Sequence, residues 1–509
     1  MSTRFLLSIL VALCCTKTHS QSTYFKGIEL FDGNYSTGPM IELHNGDIYM
    51  SGSTIAIQPP ADTFLCMHVA KLTTDGEVLW ERLFPWTSRG NFNSLICRGD
   101  TVFVCGDNVP LVSQQQWHFL MLTTNGDSIM HRKFDYATDS LTSVFTNGMV
   151  MSGTDVYMYG QTRTASDNLN RCVIQRYNYA SSIDSFLLLQ PDTGRYLAAW
   201  EAAVDTEGNI LLINEVRELT NTNGMAREIL KLSPEGHVLD RLYGPRSQFS
   251  TSVNSFMLLQ SNGNYFFQHH LQNEEGEERD IPMLISMTPS GNFDWILEYE
   301  KYWLDDDAGI IEIYRAIEAA CGDILLTGRR FRRKNLGTGY DIYLARISPD
   351  GDILWEHFYN TIEDPSVPGE YDDYFSFDLV ELPDASILVS AFFSKEEQII
   401  WLKVDPDGCL EGYNCGEDIV LTDSFTNATN TSYYHFPYPN PTSKYSTILL
   451  RDHHSGSYTV YDAVGQPVRS CSFRQKRSIE IDLSDLQSGT YIVEFVVEDE
   501  VFSTKIVKH

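Results

Sequence analysis

One four-strand pattern returns seven times along this chain of 509 residues. Each copy has a short apolar strand, a Gly/Asp turn, a β-branched or aromatic strand, a variable loop, a third strand, a tight turn and a closing strand. The second strands are the most regular part of the copies, and they read GDIYMSG, DTVFVCGD, DVYMYGQ, GNILLINE, GNYFFQH, GDILLTGR and ASILVSAF. Because no helical periodicity separates the copies, the pattern predicts an all-β fold with a seven-bladed β-propeller.

Glycines in the tight turns set the period of the repeat. Asp-Gly and Asn-Gly between alternating apolar runs are strong hairpin signals, because glycine takes a positive φ without steric cost. The turn glycines recur every 50 to 60 residues, with one double-length gap where the third copy has lost its glycine: Gly76, Gly126, Gly236, Gly291, Gly351 and Gly408. The spacing therefore predicts seven blades over residues 21–416.

The last copy has no closing strand of its own. After Gly408 the chain reads CLEGYNCG, whereas the segment STYFKGIELF from Ser22 is a single strand that belongs to no copy. Pairing this N-terminal strand into blade seven would remove two exposed sheet edges at once, which an array of radial sheets needs. We therefore predict that the N-terminal strand completes blade seven.

Three tryptophans stand at a constant distance from turn glycines. They form the pairs Gly76 and Trp80, Gly291 and Trp295, and Gly351 and Trp355. This Gly-x-x-x-Trp spacing resembles the tryptophan-docking pattern of quinoprotein-type propellers, which implies that each tryptophan packs between adjacent blades. Enzymes of that kind have eight blades, a calcium-bound quinone and vicinal cysteines. This chain has seven copies and no Cys-Cys pair after residue 20, so the resemblance does not extend to the cofactor.

The N-terminus has the pattern of an export signal. Arg4 precedes an apolar run from Phe5 to Cys15, about half of the ~20 residues that cross a bilayer. We predict that residues 1–20 are a signal peptide, with a lipid anchor as the alternative because the run ends in two cysteines. No later apolar run is long enough for a transmembrane segment.

Export permits disulfides, and two cysteines lie near the predicted ring closure. Cys409 and Cys415 flank the end of blade seven, where a small loop closed by a disulfide would lock the ring. The alternative is that both are free or buried thiols. The cysteines on predicted strands are interpreted as small buried apolar residues.

Composition changes after Gly416. Residues 417–436 are rich in Ser, Thr and Asn and are interpreted as a linker. Five motifs then follow in order: Pro439-Asn440-Pro441, Tyr461-Asp462 with Gly465, Leu483-Ser484-Asp485-Leu486, Gly489-Thr490-Tyr491, and Lys505-Ile506-Val507-Lys508. As a set, they make residues 437–509 resemble the C-terminal sorting domain of the type IX (Por) secretion system of Gram-negative bacteria.

This resemblance implies both a fold and a cellular location. Sorting domains of this kind are small Ig-like β-sandwiches that engage the type IX secretion machinery. The protein is therefore expected to be secreted or attached to the outer-membrane surface. One departure is the final hairpin turn, which reads Glu498-Asp499-Glu500 where the family often has glycine. An ordinary C-terminal sandwich used for packing or binding is the alternative.

Charge narrows the classes of ligand. The chain has 37 Lys+Arg against 68 Asp+Glu, a net charge of −31, which argues against nucleic acids and anionic membranes. A basic cluster nevertheless lies in the predicted long loop of blade six, and its guanidinium groups could bind carboxylates or sulfates: Arg330, Arg332 and Arg333. The alternative is that these arginines pair with neighbouring acids. Trp86 and Trp117 are candidates for an aromatic binding platform.

Catalytic signatures are scarce. The sequence has no HExxH, G-x-S-x-G, P-loop or CxxC motif, and no metal site or cofactor is predicted. The acidic runs leave calcium open as a ligand, although none has a complete calcium-loop pattern. The favoured hypothesis is a non-catalytic binding or adhesion module for an extracellular glycan or protein. The alternatives are a polysaccharide hydrolase or lyase acting at the channel mouth, and a ring that serves only as a spacer.

Overall fold

The structure is a computed structural model in which every regular element of the described residues is a β-strand. No helix in these residues could span a membrane. The contacts divide the chain into two compact units near residue 426. The structure describes residues 23–28, 35–58, 62–84, 95–108, 116–135, 141–164, 170–189, 195–218, 225–247, 256–272, 280–298, 310–334, 337–361, 374–393, 398–411, 413, 415–416, 418–421, 442, 444–497 and 500–508.

A first strand, β1 (Tyr24–Ile28), precedes four blades in which four consecutive strands pair antiparallel. Blade one has β2 (Tyr35–His44), β3 (Asp47–Gln58), β4 (Asp62–Thr73) and β5 (Val78–Phe84). Blade two has β6 (Leu95–Arg98), β7 (Thr101–Asn108), β8 (Gln116–Thr123) and β9 (Ser128–Asp135). Blade three has β10 (Leu141–Ser152), β11 (Asp155–Thr164), β12 (Asn170–Asn178) and β13 (Ile183–Leu189). Blade four has β14 (Arg195–Val204), β15 (Ile210–Glu218), β16 (Met225–Leu232) and β17 (Val238–Ser247).

Blade five also has four consecutive strands, whereas blade six gains a strand and blade seven lacks one of its own. Blade five has β18 (Met257–Leu259), β19 (Tyr265–Gln272), β20 (Asp280–Met287) and β21 (Phe293–Glu298). Blade six has β22 (Ile310–Glu318), β23 (Ile324–Lys334), β24 (Gly337–Ile347) and β25 (Ile353–Thr361). Blade seven has only β26 (Tyr374–Glu381), β27 (Ile387–Phe393) and β28 (Gln398–Val404) from its own segment. A further strand, β29 (Asp418–Leu421), joins blade six.

The N-terminal strand closes the ring. β1 pairs antiparallel with β28 in the order β1-β28-β27-β26, with Tyr24 opposite Lys403 and Ile28 opposite Ile399. Seven radial sheets result, and the seven-bladed propeller is confirmed. The segment interpreted as a linker differs at its start, because β29 pairs in parallel with β25 and adds a fifth strand to blade six.

The middle strands of each blade are apolar on both faces because neighbouring blades cover both. In β24 every residue from Asp341 to Ile347 is buried, and in β28 only Gln398 is not. The outermost strands alternate or are exposed, as β9 is over most of its length. This burial explains why the second and third strands of each copy read as continuous apolar runs rather than as alternating ones.

Aromatic side chains on outer strands dock onto the tight turn of the next blade. The Trp80 indole N–H donates to Thr124 O at 3.0 Å, and the Trp295 indole N–H donates to Pro349 O at 2.9 Å. At the ring closure, the Tyr24 hydroxyl on β1 donates to Thr74 O at 2.6 Å, so a tyrosine makes the equivalent contact there. Each of these contacts joins one blade to its neighbour at the same place.

Two turn glycines in blade six allow the free-energy cost of a positive φ to be measured separately from the cost of displacing a docked tryptophan. Gly322 and Gly351 both have φ of +92°, but a Cβ at Gly351 would lie 2.7 Å from Trp295, whereas one at Gly322 meets nothing within 4 Å. We expect Gly322→Ala to destabilise the propeller by about 1–2 kcal/mol through φ alone. Gly351→Ala should cost a further ~1–3 kcal/mol, because the Trp295 ring must move. Urea unfolding of both variants measures the difference, and equal losses would show that the docking contact contributes nothing.

Two histidines form a pair on adjacent strands of blade two. His118 Nδ1 lies 3.0 Å from His131 Nε2, and the rings stack with centroids 5.2 Å apart. Burial, with the charges of His131 and Lys133, lowers the pKa of His118 to about 3. Burial and Lys133 lower the pKa of His131 to about 4. Both rings are therefore neutral in the folded protein at neutral pH.

This pair predicts acid sensitivity. Unfolded histidine titrates near pH ~6.5, so between about pH 6.5 and 4 the unfolded chain binds more protons and the folded state loses stability as pH falls. We expect His131→Gln to remove about half of the pair's contribution to this loss. His237→Gln, at an exposed turn histidine of blade four, should leave it unchanged. Urea midpoints across this pH range are the measurement, and identical slopes for all three proteins would contradict the assignment.

The C-terminal unit is built on one sheet in the order β31-β30-β32-β33. Its strands are β30 (Tyr445–Tyr461), β31 (Pro467–Asp482), β32 (Gly489–Val497) and β33 (Glu500–Lys508). The register of β30 with β31 breaks between Leu449 and His454, which divides both long strands into two arms. Residues of both arms share one core, Ile448 and Ile479 from one arm and Tyr458 and Phe473 from the other. The arms therefore enclose a core between them, as in a small sandwich.

Candidate functional site

The connections between blades, and those between the second and third strands of each blade, leave from one edge, although in blade six only two residues separate β23 from β24. Because the strands are antiparallel, the chain enters each first strand and leaves each second strand at this edge, while tight turns close the opposite edge. In blade six the edge carries Ile310, Lys334, Gly337 and Thr361. We call it the loop edge. Loops on a rigid scaffold commonly carry binding residues, so this edge is the place to seek a site.

Five half-buried aromatic rings lie toward the loop edge of blades six and seven, around the guanidinium of Arg329. We call them the aromatic cluster: Tyr314, Phe331, Tyr340, Phe375 and Phe377. The Arg329 guanidinium lies 4.2 Å from the Tyr340 ring centroid, 4.9 Å from that of Phe375 and 5.5 Å from that of Tyr314.

Ring contacts link the cluster across the two blades. The Tyr340 centroid is 5.1 Å from that of Phe331 and 5.1 Å from that of Phe375. Tyr314 and Phe377 stack with centroids 6.1 Å apart and planes inclined by 12°. Phe331, Tyr340 and Phe375 therefore form one group of rings and Tyr314 and Phe377 a second, and the Arg329 guanidinium lies between the two groups.

Charge within the aromatic cluster is balanced internally. Arg329 Nη2 lies 2.5 Å from Glu312 Oε2, and the Tyr314 hydroxyl donates to the same oxygen at 2.7 Å. Burial lowers the pKa of Arg329, but Tyr314 and Glu312 outweigh it and the net pKa is raised. Burial and the Glu312 carboxylate raise the pKa of Tyr314 well above its usual value. The patch therefore presents neutral, amphipathic rings over an already neutralised cation.

An ion network occupies the first strands beside this patch. Arg315 on β22 pairs with Glu201 on β14, and its Nε lies 3.3 Å from Asp378 Oδ1 on β26. Each of the three residues follows a β-bulge, at Trp200, Tyr314 and Phe377. A bulge re-aims the side chains beside it, which explains why the same position in three blades carries a charge that reaches a neighbour.

The carboxylates of this network also bind backbone amides of the following blade. The Met257 amide donates to Glu201 at 3.2 Å, the Ile41 amide to Asp378 at 3.0 Å, and the Cys97 amide to Glu42 at 3.0 Å. Burial raises the pKa of Glu201 and Asp378, and Arg315 opposes the rise. These bonds join the first strands of successive blades, so the network stabilises the ring.

Glu42 differs from the other two carboxyl groups. Burial, with a smaller contribution from Asp378, raises its pKa to about 7, although the Cys97 amide and Arg315 oppose the rise. A carboxyl group that titrates near neutral pH can act as a general acid or base. Glu42 therefore has a carboxyl group with the proton affinity that a general acid or base needs.

Removing the cation of the network should be costly. Arg315→Met leaves Glu201 and Asp378 buried without their partner, and we expect a loss of about 3–5 kcal/mol in the free energy of unfolding. Arg132→Met is the control, because Arg132 and Asp184 are exposed and 4.0 Å apart, and it should cost less than about 1 kcal/mol. Urea unfolding at neutral pH measures both. Equal losses in the two variants would contradict a structural role for Arg315.

The structure places the residues predicted for binding in unlike environments. Arg330 is buried, pairs with Asp341 at 2.7 Å and lies 3.5 Å from the Phe358 ring centroid, so it belongs to the blade interior rather than to a loop. Trp117 is also a core residue, since it is fully buried between blades two and three. Arg332 and Arg333 lie on β23, but their side chains are outside the described residues, as is Trp86 entirely.

Sequence reasoning missed the aromatic cluster, although a signal was present. An aromatic residue stands eight positions before the turn residue in three copies, as Trp200 before Gly208, Tyr314 before Gly322 and Phe377 before Ala385. The next position holds Glu201, Arg315 or Asp378 in the same copies. Comparing the copies position by position would have revealed both. The partners Tyr340 and Phe375 have no such signal, because strand register alone brings them to Arg329.

Cys409 and Cys415 are joined by a disulfide beside His357. The two sulfurs and a ring nitrogen lie within 4.8 Å of one another, a spacing suited to metal ligands. However, the sulfurs are bonded to each other. His357 Nδ1 lies 2.7 Å from Gly416 O and its Nε2 lies 2.9 Å from Asp407 O. The trio therefore offers a metal no ligand atom without rearrangement.

Most motif residues of the tail support its sheet. Leu483 is fully buried in the core, and the Tyr491 hydroxyl donates to Gln487 O at 2.7 Å. Gly465 takes a φ of +79° in the turn between β30 and β31. Leu486 packs against the core, Gly489 begins β32 and Lys505 is exposed on β33. Pro439, Asn440 and Pro441 lie outside the described residues.

This region matches the family described as secretion system C-terminal sorting domain over residues 437–509. Residues 437–509 are a type IX sorting domain. The sorting domain marks the chain for secretion or display at the cell surface through the type IX system. No curated protein matches the chain.

Several solved structures are distantly similar to the chain. The β-propeller domain of the Trilobed protease from Pyrococcus furiosus has 8% identity and a TM-score of 0.39, covering 73% of this chain and 96% of its own. A mutant Trypanosoma rangeli sialidase displaying trans-sialidase activity has 9% identity and a TM-score of 0.38, covering 96% and 89%. Penicillium chrysogenum α-L-arabinanase complexed with arabinobiose has 12% identity and a TM-score of 0.37, covering 76% and 98%. These likenesses are too distant to assign an activity or a residue to this chain.

Proposed function

We propose that this protein is exported through the type IX system and binds a neutral glycan on the aromatic cluster without transforming it. The observation that carries the proposal is the set of five half-buried rings on blades six and seven, three in one group and two in another around Arg329. Sugar rings present flat C–H faces that pack on aromatic faces, and tyrosine hydroxyls add hydrogen bonds at the rim. The loop edge would supply the remaining contacts.

The charges favour a neutral ligand over an acidic one. Glu312 already neutralises Arg329, so the guanidinium at the centre of the patch has little attraction left for a carboxylate or sulfate. The net charge of −31 on the whole chain would further repel an acidic polysaccharide. We therefore infer a glycan without charged groups.

The contacts of the buried carboxyl groups favour binding without catalysis. Glu201 and Asp378 each accept a backbone amide from another blade and share Arg315, so both carboxyl groups are already engaged in contacts that hold the ring together. Glycoside cleavage requires two carboxyl groups, one of them a proton donor, on either side of the bond. Glu42, with a pKa of about 7, supports the second candidate, a hydrolase acting at the channel mouth.

The proposal also covers the route of export and the final location of the protein. We infer that residues 1–20 are removed on crossing the inner membrane of a Gram-negative bacterium, and that the mature protein is released or held at the outer-membrane surface. The domain limits are proposed as a propeller over residues 21–416, to which β29 adds a strand, a linker over the rest of residues 417–436 and the sorting domain over 437–509. Calcium and other cofactors have no part in the proposed binding.

Binding can be measured on the full mature chain, residues 21–509, with an array of neutral and acidic glycans followed by calorimetry. We expect Tyr340→Ala or Phe375→Ala to weaken binding of a neutral glycan at least about tenfold, ~1.4 kcal/mol. Tyr243→Ala, at a partly exposed ring on an outer strand of blade four, is the matched control and should bind normally.

Mass spectrometry of the same mixtures separates the two candidates. Intact glycan with normal binding supports the binding module. Shortened products that disappear in Glu42→Gln would overturn it in favour of the hydrolase. Preference for acidic glycans, or binding unaffected by both aromatic substitutions, would show that the aromatic cluster is not the site.

A further inference from the structure

We propose that His357 is a protonation-dependent clamp that ties the exit of the propeller chain to the last turn of blade seven. His357 lies on β25 of blade six and contacts both ends of the loop that the Cys409–Cys415 disulfide closes. The clamp acts where the chain leaves the propeller toward the sorting domain, and it is independent of the glycan site.

The geometry requires a charged imidazole. Nδ1 lies 2.7 Å from Gly416 O, and Nε2 lies 2.9 Å from Asp407 O. A carbonyl oxygen can only accept, so both ring nitrogens must carry a proton to make both hydrogen bonds. A neutral imidazole has one N–H, and its other nitrogen would direct a lone pair at a carbonyl oxygen.

The surroundings can hold this charge. His357 is 7% exposed, and its ring stacks on Trp355 with centroids 5.1 Å apart. The ionisable groups on the elements around it are Tyr359 on β25, Asp405 and Asp407 in the turn, Glu411 in the disulfide loop, and Arg346 on β24 paired with Asp323. Three of these are carboxylates on the turn and loop, and the one arginine is already neutralised by Asp323.

The clamped segment joins three parts of the fold. Asp407 lies in the turn that ends blade seven, and Gly416 is two residues before the start of β29 on blade six. Between them the Glu411 amide donates to Thr23 Oγ1 at 2.6 Å, beside the N-terminal closing strand. A bond from His357 to both Asp407 and Gly416 therefore fixes the path by which the chain leaves the ring.

The two hydrogen bonds set the sign of the pH dependence. Both are made when the ring is charged, so the clamp is complete at acidic pH. As pH rises and histidine loses its second proton, one bond is lost and the segment from the disulfide loop to β29 is held less tightly. The loosening would affect the residues from Cys409 to β29 at neutral to alkaline pH.

Hydrogen exchange on the full mature protein, with the disulfide kept oxidised, tests the clamp. We expect protection of amides in the segment 409–421, corrected for intrinsic exchange, to fall about fivefold or more between about pH 5.5 and about pH 8. His357→Gln should show low protection at both pH values, because the two N–H groups of glutamine are on one nitrogen and its amide oxygen cannot bond to the second carbonyl. His44→Gln is the control, since His44 contacts a single carbonyl, Gly99 O at 2.7 Å, and it should behave as wild type.

A second measurement does not depend on any variant. Nitrogen-15 NMR of histidine-labelled wild-type protein distinguishes a doubly protonated ring from either neutral tautomer. Observation of charged His357 at about pH 5.5 together with the protection change supports the clamp. A neutral His357 at that pH, or protection of the segment that does not change with pH, would overturn it.

Discussion

Covering both faces of every sheet is the constraint on which the propeller depends. The middle strands are apolar on both sides, so a blade without two neighbours would expose a complete hydrophobic face. Closing the ring therefore matters more than any single contact, and it relies on β1 pairing with β28 across nearly the whole length of the propeller. Such a long-range pairing carries a large entropic cost, which the docking of Tyr24 and the disulfide loop beside it help to offset.

Polar side chains on the first strands also link successive blades around the ring. Each of three first strands offers a carboxylate to a backbone amide of the following blade, as Glu42, Glu201 and Asp378 do. Arg315 then satisfies two of these acids at once. The bulges that permit this arrangement also turn Tyr314 and Phe377 toward each other, so the aromatic cluster is a product of ring assembly. The same β-bulges in the first strands therefore support both the ion network that stabilises the ring and the aromatic cluster that is proposed to bind a glycan.

Much of the architecture could be predicted because it is encoded in short-range patterns. Turn glycines and apolar strands predict seven blades, and ordered motifs at the C-terminus predict the sorting domain. The proposed site could not be predicted in the same way. Arg329 and Arg330 are neighbours in sequence, yet one faces the aromatic rings and the other pairs with Asp341 inside the blade. Which of two adjacent strand residues faces a site depends on strand register, since consecutive side chains point to opposite faces.

The sequence by itself determined the repeat, the number of blades and the secretion route, because each depends on residues close together in the chain. Only the tertiary structure decided which charges and aromatic rings meet. Tyr314, Tyr340 and Phe375 come from three strands of two blades, and Glu201 and Arg315 are 114 residues apart. Contacts of this kind arise when sheets pack around a common axis. No local pattern specifies them, because the bulges and registers that align them are fixed only when neighbouring blades are in place.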